Sequence, residues 1–313
     1  MTGSTAALNS PPRIVGLWRY PVKGMRGTPV ESLELDELGP RFDRRWIVAR
    51  PDGQAVTQRD TPLLATIKAR RDGDSLHLEA TDRRTAPLAI PIGAAGERIR
   101  LRIHGAAIHG RVVSAEADAW ISEVLGAKRH LLHLSTEDAR ATDPAFAAGH
   151  RTSFTDGYPV LLASQASLEE LARRAGRTIP IGRFRPNLLV TAPRPHDEDH
   201  WRRFAVAGIV FRGVKLCARC SVTTVDQRSG ALDADQEPLR SLALYRRIES
   251  LVYFGVNVVH EGQGRIAVGD DIEVLERGPV PSTARPAGAG GVTDSHTPIS
   301  SSHTTISPHR TEA

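Results

Sequence analysis

Short apolar runs separated by Gly, Pro and Asp dominate the first hundred residues of the chain. They occupy residues 14–18, 30–35, 46–49, 65–69, 76–78, 88–90 and 99–103. Apolar and polar residues alternate in several of these runs, as at residues 75–79, and alternation is the period of a half-buried strand. Closely spaced short strands with turn residues between them predict a β-barrel or a β-sandwich.

The centre of the chain mixes helical and extended patterns. Apolar residues at helical spacing predict helices over residues 116–125 and 167–175. In the second helix, Ser167 and Glu170 have the spacing of a capping box, and Gly176 follows where a C-terminal cap belongs. Apolar runs on either side of this helix predict buried strands over residues 158–163 and 187–190.

After residue 200 the pattern is again mainly extended. Strands are predicted over residues 204–211, 221–225, 257–259 and 272–275, and a helix over residues 239–248. Residues 1–12 are small and polar, and residues 278–313 are rich in Pro, Ser, Thr, Gly and Ala, so both ends are expected to be disordered. The pattern therefore predicts a mostly β fold with some α, of the α+β class.

Composition and charge narrow the function classes. The 313 residues include 40% hydrophobic and 25% charged residues, which is typical of a globular protein. There is neither an apolar run long enough for a membrane span nor a signal-peptide pattern, so we expect a cytoplasmic protein. The net charge of +5 is spread along the chain without a nucleic-acid-binding motif. A pocket for a phosphate-bearing small molecule is a better explanation of these cations than nucleic acid.

The two cysteines, Cys217 and Cys220, form the only C-x-x-C of the chain. Structural zinc needs four ligands, and no second pair of this kind exists. A dithiol redox site needs a helix after the motif, whereas the β-branched run at residues 222–225 predicts a strand. A single thiolate on a soft metal centre is the third interpretation, with Lys215 and Arg219 favouring the thiolate.

The segment 215–226 resembles the signature of the MOSC domain, a domain of molybdenum-cofactor proteins. Further blocks with the same resemblance occur in order along the chain, at residues 20–24, 42–46, 155–159, 183–187 and 254–257. Together they resemble the group that contains the mitochondrial amidoxime-reducing component and its bacterial relatives. This resemblance implies an N-terminal β-barrel-like domain over residues 13–115 and a MOSC β-barrel domain over residues 116–277.

The resemblance also implies a set of site residues. Cys220 would be the sulfur ligand of molybdenum and a catalytic residue, and Asp226 would be a second catalytic residue that shuttles protons. Residues implied in binding the cofactor are Lys23, Gly24, Arg44, Asp156, Gly157, Tyr158, Arg185, Asn187 and Asn257. Gln58, Arg59 and Asp60 are candidates for the entrance of the site.

The implied activity is reduction of a small N-hydroxylated or N-oxide substrate by the molybdenum cofactor. The chain has neither further cysteines for an iron–sulfur cluster nor a dinucleotide fingerprint, so the electrons would come from a separate electron-transfer protein. Two alternatives stay open: a non-catalytic carrier of the cofactor, and a sulfur-transfer protein with a persulfide on Cys220.

Overall fold

The computed structural model describes residues 11–283 except residues 83, 94, 95, 104 and 282. The predicted disordered segments, 1–12 and 278–313, therefore lie almost wholly outside the described residues. Their described edges are paired: the Ile272 amide donates to the Pro12 carbonyl at 2.7 Å, and the Gly278 amide donates to the His200 carbonyl at 3.0 Å.

Strands dominate the described part of the chain, which confirms the predicted α+β class. The first ten strands are β1 (Ile14–Arg19), β2 (Thr28–Val30), β3 (Ser32–Asp36), β4 (Gly39–Pro40), β5 (Trp46–Ala49), β6 (Ile67–Asp72), β7 (Ser75–Ala80), β8 (Leu88–Pro91), β9 (Arg98–Ile103) and β10 (Ala106–Val112). The next six are β11 (His130–His133), β12 (Arg140–Ala141), β13 (Arg151–Thr152), β14 (Val160–Ser164), β15 (Leu188–Val190) and β16 (Trp201–Val206). The last five are β17 (Ile209–Arg219), β18 (Arg247–Ile248), β19 (Leu251–Glu261), β20 (Gly264–Ala267) and β21 (Ile272–Arg277). The helices are α1 (Ala115–Leu125), α2 (Pro144–Ala147), α3 (Gln165–Ala175) and α4 (Leu239–Ala243).

The largest sheet has nine strands in the order β2-β1-β15-β14-β19-β17-β16-β21, with β18 attached to β19. The smaller sheets are β5-β11-β10-β9, β20-β3-β4, β6-β7-β8 and β12-β13. None of these strand orders closes on itself, so the described residues contain no closed barrel of the kind the resemblance implied. Within the same residues, none of the helices has the length and apolar composition that a transmembrane span requires.

The large sheet draws its strands from both halves of the chain. Strand β1 pairs antiparallel with β15, with Leu17 opposite Leu188, and β15 pairs in parallel with β14. One hydrophobic core covers this sheet, and a second packs α1 against β5 to β8. The predicted boundary between residues 115 and 116 stays a prediction, but hydrogen bonds link the segments on either side of it.

The two predicted helices of the central region are present, with one change in capping. Helix α1 agrees with its prediction, and α3 ends at Gly176 in the left-handed conformation. The N-cap of α3 is Ser164 rather than Ser167, and the Ser164 hydroxyl accepts from the Ser167 amide at 3.1 Å. The predicted capping box is therefore wrong, because the Ser167 hydroxyl donates instead to the Glu198 carboxylate at 2.7 Å.

Several predicted elements are shorter or broken. The helix predicted over residues 239–248 ends at Ala243. Arg247 and Ile248, the last two residues of the predicted helix, instead form β18 and pair with β19. The strand predicted over residues 204–211 is two strands, because Ala207 and Gly208 form a turn with positive φ. The run at residues 30–35 is likewise divided between β2 and β3, and the run at 65–69 begins in a 3-10 helix.

Candidate active site

One cavity collects nearly all the residues that the sequence singled out. It is lined by Lys23, Gly24, Arg44, Thr57, Gln58, Arg59, Thr155, Asp156, Gly157, Tyr158, Leu161, Arg183, Phe184, Arg185, Asn187, Cys217, Ala218, Arg219, Cys220, Val222, Thr223 and Asn257. The predicted thiolate ligand and all nine residues predicted to bind the cofactor are among them. They come from segments more than two hundred residues apart in sequence and are brought together by the large sheet and the loops at its edge.

The cysteine pair lies where β17 ends. Cys217 is within the strand, whereas Cys220 is the N-cap of a 3-10 helix formed by Ser221–Thr224. The strand predicted over residues 221–225 is therefore wrong. The Thr223 hydroxyl donates back to the Cys220 carbonyl at 2.9 Å, and the Thr224 hydroxyl donates to the Ser221 carbonyl at 2.8 Å. Such local bonds favour a turn over a strand although both residues are β-branched.

Both cysteines are free and half-buried, which leaves their sulfur atoms available to a ligand. Burial raises the pKa of the Cys217 thiol, and nearby Arg219 offsets only part of that effect. Cys217 therefore keeps its proton at neutral pH. Lys215, which the sequence paired with Arg219 as a second stabilising cation, does not line the cavity, and its ammonium lies 4.4 Å from the centroid of the Phe146 ring.

Arg44 and Arg185 form the cationic centre of the cavity, and both have a left-handed backbone conformation. Their guanidinium carbons lie 4.3 Å and 4.4 Å from the centroid of the Tyr20 ring, which is 2% exposed. Arg44 also donates to the Arg185 carbonyl at 2.9 Å and to the carboxylate of Asp43. Burial, and after it the charge of Arg44, lowers the pKa of Arg185 to about 10.

Arg185 has a donor left over. Its Nη1 donates to the Met25 carbonyl at 2.5 Å, whereas its Nη2 is buried without a hydrogen-bond partner. A buried guanidinium nitrogen without a partner is costly, so this residue of the cavity lining keeps a donor that a ligand acceptor could use after a small movement of the side chain.

Lys23 is the second buried cation of the cavity. Its ammonium donates to the Asp156 carboxylate at 2.5 Å, and the exposed fractions of the two side chains are 11% and 68%. Burial lowers the pKa of Lys23, and Asp156 counteracts this only in part. A buried ammonium is thus connected to solvent through an exposed carboxylate.

Asn187 acts differently from its prediction. Its side-chain oxygen accepts from the Leu161 amide at 3.2 Å and from Arg44 at 3.0 Å, and its nitrogen donates to the Trp18 carbonyl at 3.3 Å. The side chain therefore orients Arg44 and joins β1 to the strands beside it. Asn257 lies beside the cysteines, where its amide donates to the Leu216 carbonyl at 3.4 Å and bonds to Cys217.

The remaining predicted residues contribute backbone atoms to the cavity or lie at its rim. Gly24 has a φ of +82°, and its carbonyl accepts from the side-chain amide (Nε2) of Gln58 at 2.5 Å. Gly157 and Tyr158 line the cavity next to Asp156. Of the candidates for the entrance, Gln58 and Arg59 line the cavity, but Asp60 does not, because its carboxylate binds Thr57 and Arg50.

Asp226 is not among the residues that line the cavity. Its carboxylate accepts from the Arg228 amide at 3.0 Å and from the amide and hydroxyl of Ser229 at 2.9 Å each. These bonds hold a turn and keep the pKa of Asp226 below its usual value. The geometry gives no support to the predicted catalytic role, and we do not propose it.

Sequence reasoning missed two arginines that line the cavity. Arg183 lies within one of the sequence blocks named above, and Arg219 is predicted only as a neighbour of the cysteines. Arg219 donates to the carbonyls of Phe254 and Phe184 at 2.7 Å and 3.0 Å, so it links β19 to the segment that contains Phe184. Their clustering could not be found from a pattern, because arginine is frequent throughout this chain.

The charges of the lining fit an anionic ligand with many hydrogen-bonding edges. The lining contains six cations, Lys23, Arg44, Arg59, Arg183, Arg185 and Arg219, and one carboxylate, that of Asp156. Two of the cations also pair with carboxylates outside the lining, Arg44 with Asp43 and Arg183 with Asp233. Together with the unpartnered Nη2 of Arg185, this excess of donors suits a phosphate and a pterin edge. The thiol of Cys220 in the same cavity adds a donor for a soft metal.

Comparisons with known proteins agree with this chemistry. Residues 11–128 match the MOSC N-terminal beta barrel domain, and residues 149–273 match the MOSC domain. The chain is 31% identical over 279 residues to mitochondrial amidoxime-reducing component 1 of Mus musculus, covering 84% of this chain and 82% of that protein. It is 30% identical over 276 residues to component 2 of Homo sapiens, covering 83% and 82% respectively.

Two further matches are more distant. Molybdenum cofactor sulfurase of Oryza sativa is 27% identical over 261 residues, which are 77% of this chain but 32% of that protein. Among solved structures, the YuaD protein of Bacillus subtilis is 13% identical, covers 84% of this chain and 95% of its own, and gives a TM-score of 0.41.

Proposed function

Because this chain belongs to the MOSC-domain family of the mitochondrial amidoxime-reducing components, we propose that it reduces N-hydroxylated or N-oxide compounds at the cavity around Cys220. A molybdenum-cofactor-associated function follows from membership of the family. The substrate class, the metal ligand and the electron donor are the proposal.

The observation that carries the proposal is the shared cavity. Residues that carry a free thiol, a buried ammonium and two guanidiniums stacked on one tyrosine line the same cavity, although they are far apart in sequence. A plain surface lysine or a cysteine of the hydrophobic core would not need to lie beside several arginines in one cavity. The combination supports a phosphate-bearing cofactor whose metal is bound by Cys220.

Different groups would hold different parts of the cofactor. Lys23, Arg44 and Arg185 would bind its anionic and hydrogen-bonding groups, and the Cys220 thiolate would bind its metal. When bound, the cofactor supplies the redox chemistry of a two-electron reduction. Phe184 and Leu161 would limit access of water on the apolar side of the cavity.

Each turnover removes one oxygen: the substrate takes up two electrons and two protons and releases an amine and one water. The protons would come from solvent, which reaches the cavity at the exposed carboxylate of Asp156. Cys217 lies within β17 and bonds to Asn257, whereas Cys220 follows the end of the strand, so Cys220 is the proposed metal ligand.

The electrons would come from a separate protein, since the chain has no cysteines beyond this pair for an iron–sulfur cluster. We also propose a cytoplasmic location, in keeping with two free thiols. The curated relatives are named as mitochondrial, so fractionation of the native cell is the test of location.

The test compares wild type with Cys220→Ser and Cys217→Ser after expression in a host that makes the cofactor. We would measure molybdenum, pterin fluorescence and amidoxime reduction with reduced benzyl viologen. We expect molybdenum and turnover in the wild type, retention of most of both in Cys217→Ser, and loss of turnover in Cys220→Ser.

Three results would contradict the proposal. A wild type without molybdenum would refute cofactor binding, and a Cys220 persulfide in that protein would favour sulfur transfer. Full loading without turnover on hydroxylamines or amidoximes would favour a cofactor carrier. Equal losses in the two cysteine variants would refute the specific role of Cys220.

A further inference from the structure

A second polar cluster lies outside the cavity. His196, Glu198 and Asp199 belong to the turn and the 3-10 helix Asp197–His200 that lead from β15 to β16. Each residue offers one possible ligand atom, and these atoms all lie within 4.8 Å of one another. None of the three residues lines the cavity around Cys220.

The cluster is buried, and part of its bonding capacity is unused. Glu198 and Asp199 are 0% and 1% exposed. Oε2 of Glu198, Oδ1 of Asp199 and both ring nitrogens of His196 have no hydrogen-bond partner. Buried polar atoms are nearly always hydrogen-bonded, so four such atoms in one place suit a ligand that binds them together.

The protein satisfies the other oxygen of each carboxylate. Oε1 of Glu198 accepts from the Ser164 amide at 3.1 Å and from the Ser167 hydroxyl at 2.7 Å. Oδ2 of Asp199 accepts from the Arg246 guanidinium at 2.6 Å. These bonds fix the orientation of both side chains, so the unpartnered oxygens are held in place for a ligand.

The charge of the cluster favours a cation. The carboxylates of Glu198 and Asp199 lie together in a buried space, where the Arg246 guanidinium pairs with only one of them, at Oδ2 of Asp199. Both ring nitrogens of His196 are without a partner, so the imidazole can offer a lone pair to a cation.

We propose that His196, Glu198 and Asp199 form a site for a divalent transition-metal cation, with Zn²⁺ as the best fit and a water molecule as the fourth ligand. One imidazole nitrogen with two carboxylate oxygens suits zinc, whereas calcium and magnesium prefer oxygen ligands alone. Zinc bonds of about 2.0–2.2 Å bring ligand atoms to roughly 3–4 Å from one another, so binding draws the cluster together.

The site would support the cavity wall from behind. The His196 ring lies edge-on to Phe254, with centroids 6.3 Å apart. Phe254 in turn stacks on Phe184 at 4.1 Å, and Phe184 lines the cavity. The Phe254 carbonyl also accepts from Arg219. Ordering of His196 by a metal would therefore fix the position of two aromatic rings and one cavity arginine.

The experiment compares full-length wild type with His196→Phe, Glu198→Gln and His200→Phe. Phenylalanine at position 196 keeps the ring contacts with Tyr245 and Phe254 but removes both nitrogens. His200 is an exposed histidine of the same 3-10 helix outside the cluster, so His200→Phe is the matched control. Each chelator-treated protein is equilibrated with buffered Zn²⁺, and bound zinc and Tm are measured.

We expect wild type and His200→Phe to bind one zinc per chain more than His196→Phe and Glu198→Gln. At about 100 times the Kd, zinc should raise their Tm by roughly 5 °C, with no such rise in the two cluster variants. Zinc bound by the cysteines or by histidines of residues 284–313 is common to all four proteins. It therefore does not contribute to the difference in zinc content between them. Equal zinc content and equal Tm shifts in all four would overturn the proposal.

A second measurement avoids the cluster variants if they fail to fold. A Cys217→Ser, Cys220→Ser double variant is titrated with Co²⁺ and followed by visible absorption. A one-equivalent ligand-field band without a thiolate charge-transfer band supports the site. Absence of any band in this folded protein overturns the proposal, whatever the outcome for molybdenum.

Discussion

Replacing Tyr20 separates the cation–π contacts of its ring from the cost of its buried hydroxyl. The ring lies under the guanidiniums of Arg44 and Arg185, whereas its hydroxyl oxygen is buried without a partner. Tyr20→Phe removes only the hydroxyl. Tyr20→Leu also removes the aromatic face and leaves two arginines without the ring that stabilises their charges.

The two substitutions are expected to change the free energy of unfolding in different ways. Removal of an unpartnered buried hydroxyl should leave stability unchanged or raise it by about 1 kcal/mol. Loss of two cation–π contacts at about 0.5–2 kcal/mol each should lower the free energy of unfolding by about 1–4 kcal/mol in Tyr20→Leu. If half of that loss reaches ligand binding, the Kd for the cofactor rises by roughly 3–30-fold.

The assay is urea unfolding of the cofactor-free protein together with molybdenum retained after gel filtration. We expect Tyr20→Phe to equal the wild type in both, and Tyr20→Leu to be lower in both. The reasoning is refuted if the phenylalanine variant loses as much cofactor as the leucine variant, since the hydroxyl would then be the functional group.

Four further substitutions test other parts of the structure. Burial lowers the pKa of His133 to about 4, below its unfolded value of 6.5, so the unfolded chain binds the extra proton between these pH values. Stability should thus fall by about 3 kcal/mol between pH 7 and pH 4. His133→Phe should lose that part of the acid sensitivity in urea unfolding, and an unchanged pH profile would contradict the assignment. Lys23→Met should fold as well as wild type but retain less molybdenum, whereas Asp156→Asn should retain it; equal retention by both variants would exclude Lys23 as a binding residue. Gly255 has a φ of +76°, and a Cβ there would lie 2.6 Å from the Leu162 carbonyl. Gly255→Ala should therefore lower Tm by roughly 5 °C or more, and an unchanged Tm would show that β19 can relax.

Sequence patterns identified elements better than their ends. The helix α1 and the strand β5 agree with their predictions because each has a clear apolar face and clear turn residues at its ends. Some errors fall at turns, such as Ala207 and Gly208, and one falls where side chains bond to their own backbone. Hydroxyls of Thr223 and Thr224 turn a β-branched run into a 3-10 helix, and such competition leaves no periodic signal.

The members of the site were predictable from motifs, but their tasks were not. All residues named as cofactor-binding line one cavity, whereas Asp226 caps a turn and Asn187 bonds to backbone and to Arg44. Resemblance to a family's motifs indicates which residues lie in the same site. It cannot tell whether a polar side chain faces a ligand or the main chain, because that depends on how separate loops meet.

The cavity is built from residues far apart in the sequence, and this has a consequence for biosynthesis. Lys23 and Asn257 both line the cavity, and a ribosome adds the 234 residues from one to the other in roughly 10–50 s. No nascent chain can complete the binding surface before that time. A prosthetic group that contacts both residues must therefore enter after residue 257 has been added, so this connectivity favours delivery to the folded apoprotein over nucleation early in translation.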